Sequence, residues 1–277
     1  CIYSICRRTA IFAQKLAPEH PKVFFSGGLA QSQVVREVLA RYGADGVSLY
    51  IGIPFCPTRC LYCSFTAYPL HQYKNRVDEY LDAMFRELDW LAAYSRSFVM
   101  KNIYIGGGTP TSLDEAQMER LLQKVEELFH PDESMEYTVE AGRPDTIDKD
   151  KLDVLATHGV NRISINPQTF NQSVLDTIGR RHTVADIYDK YNLARKYDFA
   201  INMDLIAGLP GETYEMFCHS VECAVACGAD NITVHTLALK HGSALKEQNF
   251  AQGQSPVAKM VEFAHAALYA AGYIPYY

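Results

Sequence analysis

Three cysteines carry the plainest chemistry in this sequence. Cys56-x3-Cys60-x2-Cys63 lies on one tight stretch stiffened by Pro54 and Pro57. Three thiolates at this spacing can ligate three irons of a cubane [4Fe–4S] cluster and leave the fourth iron open to a substrate or cofactor. Arg59 adds positive charge beside a negative cluster. A structural zinc site is the plain alternative, but zinc usually takes four ligands with paired short spacings, and no second Cys-x2-Cys or His-x3-His partner is evident. A second signal is Gly106-Gly-Gly-Thr-Pro-Thr111. Three glycines leave backbone N–H and C=O groups open to a close ligand. Alone, such a run means only a turn; near the cysteines it means more.

The elements that must bring these residues together follow from periodicity. Short runs rich in β-branched and aromatic residues fall at 47–53, 102–105, 136–140, 162–165, 200–206 and 231–237. Amphipathic stretches at 76–92, 113–129, 149–158, 184–197, 214–227 and 257–271 read as helices. Asp114 opens an acidic first turn, and Gly159, Gly228 and Gly272 sit where helices should stop. Six β–α repeats predict an α/β fold, an incomplete (βα)6 parallel barrel. In such folds chemistry sits at the C-terminal ends of the strands. Cys56, Gly106–Gly108, Glu140, Gln168, Gly208 and His235 all fall at or just after strand ends, so one rim gathers the unusual residues.

Composition bounds the rest. The chain of 277 residues is 48% hydrophobic and 21% charged, enough apolar surface for one large barrel. A net charge of −6 argues against nucleic acid as the main partner. No apolar run is long enough for a membrane span, and no secretory signal pattern opens the sequence. With eight cysteines and no such signal, a reducing, cytoplasmic setting is expected. Cys218, Cys223 and Cys227 share one predicted helix and read as core cysteines rather than a second cluster.

The cysteine motif with Tyr62 inside it, together with Gly106–Thr111, resembles the radical S-adenosylmethionine (SAM) superfamily. Within it the chain is similar to the oxygen-independent coproporphyrinogen oxidase family, through Tyr50-Ile-Gly-Ile-Pro-Phe-Cys56, Gly179-Arg-Arg-His182 and Asn202-Met-Asp-Leu-Ile-Ala-Gly-Leu-Pro210. The stretches Gly46–Ser64 and Val234–Leu239 look closest to the anaerobic dehydrogenase branch. The resemblance covers residues 46–277. It implies that Cys56, Cys60 and Cys63 hold a [4Fe–4S] cluster and that SAM chelates the open iron. It implies that Gly107, Gly108 and Thr109 line the methionine portion of SAM, and that Tyr62 lies beside cluster and adenine. Tyr50, Glu140, Gln168, Arg180 and Asp204 match further cofactor-binding positions. Chemistry agrees: Arg180 can pair with a carboxylate bidentately, and Glu140 or Asp204 can accept ribose hydroxyls.

The activity so implied is SAM-dependent oxidative decarboxylation of coproporphyrinogen III to protoporphyrinogen IX through a 5′-deoxyadenosyl radical, in anaerobic heme biosynthesis. A reduced flavodoxin or ferredoxin-like protein would supply electrons. Two readings stand beside it: a heme chaperone of the same family, with His235 or His241 as axial ligand, and a radical SAM reaction on another substrate, such as methyl transfer. The family's best-studied branch has a further cysteine where this chain has Phe65. Family members also continue past Tyr277 with a region covering the barrel mouth, so residues 47–277 are expected to be the barrel without that region.

Residues 1–46 read as a separate short α-β-α segment with a boundary near Gly46. Phe24-Phe-Ser-Gly-Gly-Leu-Ala-Gln-Ser resembles the glycine turn of acyl-CoA dehydratase activator ATPases. One such turn on so short a segment makes no ATP site, so a remnant or fusion junction without ATPase activity is expected.

Overall fold

Strict alternation of side chains builds the sheet. In β1 (Gly46–Ile53), Leu49, Ile51 and Ile53 are buried, while Tyr50 and Gly52 between them are only half-buried. The same alternation buries Ile103 and Ile105 in β4 (Val99–Gly107), Tyr137 and Val139 in β5 (Glu136–Glu140), and Ile201, Met203 and Leu205 in β7 (Ala200–Ala207). Period-two patterning of this kind gives a sheet two chemically different faces. The computed structural model describes residues 46–65, 67–94, 99–240, 242–247 and 256–274. The segment 1–45, with its ATPase-like turn and its expected boundary, lies outside the described residues, as does His241.

With β6 (Arg162–Ser164) and β8 (Asn231–Thr236), these strands form a six-stranded parallel sheet in the order β1-β4-β5-β6-β7-β8. This sequential, open order is the incomplete barrel expected from the repeats. A separate two-stranded parallel pair, β2 (Phe55–Cys56) and β3 (Tyr68–Pro69), brackets the cysteine loop.

Helices pack on the apolar face. They are α1 (Leu70–Tyr73), α2 (Val77–Tyr94), α3 (Glu115–Phe129), α4 (Lys149–Thr157), α5 (Gln172–Thr177), α6 (Val184–Ala194), α7 (Tyr214–Cys227), α8 (Ala244–Glu247) and α9 (Val257–Ala270). Asp114 is the N-cap of α3 rather than part of its first turn, and closes a capping box with Gln117. Asp148, Thr183 and Thr213 cap α4, α6 and α7, each accepting a backbone N–H, and Thr183 closes a second capping box with Asp186. Gly159, Gly228 and Gly272 take left-handed backbone after three helices, as their positions predicted. Helix α6 stops at Ala194, short of the expected Tyr197, whose hydroxyl instead bonds Asp153 at 2.6 Å.

The opposite face of the sheet is polar. Tyr50, Tyr104, Thr138, Glu140, Ser164, Asn202, Asp204, Thr233 and His235 occupy it across neighbouring strands. Closed eightfold barrels fill this space with branched apolar side chains. Here it is lined for a polar ligand.

Candidate active site

The cysteine loop and the glycine run are zipped together by main chain. Past the end of β1 and β4, Gly108 N–H donates to the Ile53 carbonyl at 2.7 Å, and Thr109 N–H donates to Phe55 at 2.8 Å. Gly108 has to be glycine: a β-carbon there would lie 2.7 Å from the Phe55 oxygen, 2.9 Å from the Ile53 oxygen and 3.1 Å from Cys56 Sγ. Gly107 has φ 112°, a conformation glycine adopts without strain, and its N–H donates to Glu140 Oε2 at 3.2 Å. The Thr109 hydroxyl lies 3.4 Å from Cys56 Sγ.

The middle of the loop is anchored elsewhere on the same rim. Leu61 N–H donates to Ile178 O and Leu245 N–H donates to Leu61 O, at 3.1 and 3.0 Å. Cys56 and Cys60 are buried, Cys63 is half-buried, and all three are free thiols. Burial pushes the Cys56 thiol up to about 11 and raises that of Cys63, and Cys60 adds to both electrostatically. Among the described residues no group of three or more His, Cys, Asp or Glu side chains is placed to hold a single metal ion. In a cubane each thiolate binds a different iron, so the three sulfurs need not converge on one metal ion.

The polar face of the sheet carries two carboxylates, Glu140 on β5 and Asp204 on β7. Tyr50 stacks on Tyr104 with ring centroids 5.8 Å apart, and the Tyr104 hydroxyl donates to Glu140 Oε1 at 2.5 Å. Burial raises the Glu140 carboxyl, and burial together with the Glu140 charge pushes the Tyr50 phenol up to about 12. Asp204 Oδ1 accepts from Asn202 Nδ2 at 2.8 Å, and its Oδ2 lies 3.8 Å from His235 Nε2, raising the half-exposed imidazole. Gln168 is bound on both sides to β7: its N–H donates to Asp204 O, and its carbonyl accepts from Ile206 N–H, each at 2.9 Å. It holds a left-handed φ of 69° while buried. A non-glycine residue so held costs about 1–3 kcal/mol, and such strain clusters at functional sites.

Arg180 stands beside the cysteine loop, bonded to Tyr62. It is buried, not a surface arginine. Its Nη1 donates to the carbonyls of Asn166 (2.7 Å) and Gly142 (3.2 Å), and its Nη2 to the Tyr62 hydroxyl (3.1 Å). The fork is thus largely engaged in holding the loop, and Nε is left buried without a hydrogen-bond partner among the described residues. His182 beside it is also buried; neither ring nitrogen has a hydrogen-bond partner among the described residues, Nδ1 lies 3.9 Å from Asp145 Oδ1, and burial first and Arg180 second depress its pKa to about 3. Cys218, Cys223 and Cys227 are half-buried on α7, and Cys223 Sγ lies 3.5 Å from His219 Nε2.

The structure brings Cys56, Cys60 and Cys63, Gly107–Thr109, Tyr62 and Arg180 into one connected network. Tyr50, Glu140, Gln168 and Asp204 join it through Gly107 and β7. Three observations fit a cluster with a bound cofactor: three soft thiol donors on one loop, a glycine approach that a β-carbon would fill, and an orphaned buried guanidinium N–H. Sequence reasoning missed Arg143, Tyr104 and Asn202. Arg143 follows β5, so the strand-end rule itself could have found it.

Residues 50–224 match the family model of the radical SAM superfamily. The chain is 42% identical over 240 residues to the oxygen-independent coproporphyrinogen-III oxidase-like protein HemZ of Bacillus subtilis, covering 84% of this chain and 48% of that protein. It is 39% identical over 192 residues to the heme chaperone HemW of the same bacterium, covering 69% of this chain and 50% of the relative. The solved coproporphyrinogen III oxidase HemN from Escherichia coli superposes with a TM-score of 0.76 at 31% identity, over 90% of this chain and 57% of that one. The chain spans about half the length of the curated relatives it matches. With that model covering more than half of its residues, the chain belongs to the radical SAM superfamily, in the family related to the coproporphyrinogen III oxidases, whose cofactors are a [4Fe–4S] cluster and S-adenosylmethionine.

Proposed function

We propose that the chain carries the catalytic barrel of an enzyme that oxidatively decarboxylates coproporphyrinogen III to protoporphyrinogen IX. The observation that carries this reading is the joining of the cysteine loop, at Ile53–Cys56, to the Gly106–Thr111 turn at one rim of a polar-lined sheet. When bound, cluster and SAM supply a 5′-deoxyadenosyl radical able to abstract hydrogen from a propionate side chain. The chain's own part is to bind and orient. Cys56, Cys60 and Cys63 hold the cluster. Gly107, Gly108 and Thr109 receive the methionine portion of SAM, and the free Nε–H of Arg180 receives its carboxylate. Glu140 and Asp204 accept ribose hydroxyls, with Tyr104 and Asn202 holding the two carboxylates in place. Gln168 and Tyr50 shape the pocket, and Tyr62 closes it beside the adenine. A reduced flavodoxin or ferredoxin-like protein donates the electron.

A second reading, a heme chaperone, is favoured by the similarity to HemW and by a half-exposed His235 on the same rim. The test is release of 5′-deoxyadenosine by anaerobically reconstituted protein, given SAM and dithionite, with and without coproporphyrinogen III. Release that rises with the porphyrinogen, with loss of its carboxylates, supports the decarboxylase. Release indifferent to it, together with a heme Soret band that shifts in the parent and not in His235→Ala, supports the chaperone.

A further inference from the structure

Arg143 is 3% exposed and stands on the loop that follows β5, facing the cysteine loop. Every arm of its guanidinium is used. Nε and Nη2 form a fork onto Asp145 Oδ1 and Oδ2, both at 3.0 Å. Nη1 donates to the Thr58 hydroxyl at 2.9 Å, the Thr58 carbonyl at 3.2 Å and Cys60 Sγ at 3.8 Å. A buried cation is unfavourable unless paired, and the bidentate carboxylate supplies that pairing. The loop is further fixed by Thr146, whose hydroxyl lies 2.6 Å from that of Thr111 and donates to the Arg143 carbonyl at 2.8 Å. One permanently charged side chain thus spans the loop after β5 and the cysteine loop, with its charge against a cysteine sulfur.

We infer that Arg143, held by Asp145, is a positioning residue that fixes the Cys60 segment and makes the cluster easier to reduce. This rests on the reading that the three cysteines hold a cluster. Hydrogen bonds to cluster sulfurs and nearby positive charge stabilise the added electron and raise the reduction potential. The cluster must accept an electron before SAM can be cleaved, so a cation fixed against one of its sulfurs acts on the first requirement of the reaction. Lysine at this position would keep the charge and lose the fork; glutamine would lose the charge.

The test is an anaerobic redox titration of reconstituted parent, Arg143→Gln, Arg143→Lys and Asp145→Asn proteins, with reduced cluster counted by EPR and iron counted per chain. At a fixed potential, Arg143→Gln is expected to show a reduced-to-oxidised ratio about tenfold below the parent, equivalent to about 59 mV for a one-electron couple. Arg143→Lys should recover most of that ratio. Asp145→Asn leaves the guanidinium its Thr58 and Cys60 contacts and removes a nearby negative charge, so its ratio should move the other way. Loaded Arg143→Gln that titrates with the parent would overturn the inference. So would iron loss shared by the glutamine and lysine variants with no change in the potential of the clusters that remain, which would make Arg143 a loop staple only. If Arg143→Gln does not load, an Asp145→Asn ratio equal to or below the parent's counts against the inference. A parent that forms no cluster at all overturns the reading of the site beneath it.

Discussion

Gly108→Ala puts the site's construction under direct strain. The added β-carbon would stand 2.7 Å from the Phe55 carbonyl oxygen, 2.9 Å from that of Ile53 and 3.1 Å from Cys56 Sγ. Two of those three atoms are main chain held by pairing, so they cannot swing aside as a flexible side chain would. Overpacking a rigid place costs about 1–3 kcal/mol. The shift also strains the Gly108 N–H bond to Ile53, worth about 1 kcal/mol net. A loss of roughly 3 kcal/mol would lower the melting temperature by roughly 5–10 °C for a chain of this size. The clash is aimed at Cys56 and the strand leading into it, so iron bound after anaerobic reconstitution should fall as well. Gly52→Ala is the control, because its β-carbon meets only Tyr50 Cε1, at an ordinary 3.6 Å. Circular dichroism melts and iron analysis of the three proteins decide the matter. A Gly108→Ala protein that melts with the parent and binds as much iron would refute the close approach of the two segments.

Three further perturbations test separate parts of the structure. Tyr104→Phe removes the donor to Glu140 Oε1, and a hydrogen bond to a charged group is worth about 1.5–3 kcal/mol, so SAM affinity by calorimetry should weaken roughly tenfold or more. Unchanged affinity would take Glu140 out of the cofactor site. Glu212 is buried with Oε1 accepting from Thr169 at 2.8 Å, and burial pushes its pKa up to about 7. The fold therefore keeps a proton that the unfolded chain gives up near pH 4.5, and stability falls between there and about pH 7, by roughly 3 kcal/mol in order of magnitude. Glu212→Gln should erase that slope and unfold at a higher urea concentration than the parent at pH 8, and equal midpoints would contradict it. His158 lies 2.9 Å from Glu126 Oε2 and 3.0 Å from Glu119 Oε1, tying the end of α4 to α3. Burial pulls its pKa down, but the two carboxylates outweigh that and leave it above 6.5. The stabilisation is full below that unfolded value and lost as pH rises through the folded one. His158→Gln should therefore cost more at pH 5.5 than at pH 8.5, by less than about 1 kcal/mol because both carboxylates are largely exposed; a larger cost at pH 8.5 would contradict the sign.

Much of this could be read from residue types alone. Each of the six sheet strands overlaps its predicted run, because alternation in Leu49-Tyr50-Ile51-Gly52-Ile53 and its counterparts is set by burial of one face. Cys56, Gly107 and Glu140 could be grouped because strand ends of a parallel α/β fold share one rim, whereas Asp204, inside β7, was singled out by the family resemblance. Other features depend on tertiary partners that spacing does not encode. Helix α5 has six residues, too few for a period to show. Gln168 looks unremarkable until its backbone is pinned to both sides of Leu205 and driven to positive φ. Tyr104 and Asn202 matter through the carboxylates they hold, and Arg143 through a sulfur 83 positions away in sequence. A buried polar residue declares its role only when its partners are known.

The central claim is that Cys56, Cys60 and Cys63 together hold a cluster whose open iron takes SAM. The most direct measurement is iron and sulfide content of the anaerobically reconstituted protein, with the EPR spectrum of the reduced cluster before and after SAM is added, for the parent and each Cys→Ala variant. About four irons and four sulfides per parent chain, a spectrum that changes on adding SAM, and loss of both in each variant are expected. Zinc in place of iron, a cluster that survives Cys60→Ala, or a spectrum indifferent to SAM would contradict it.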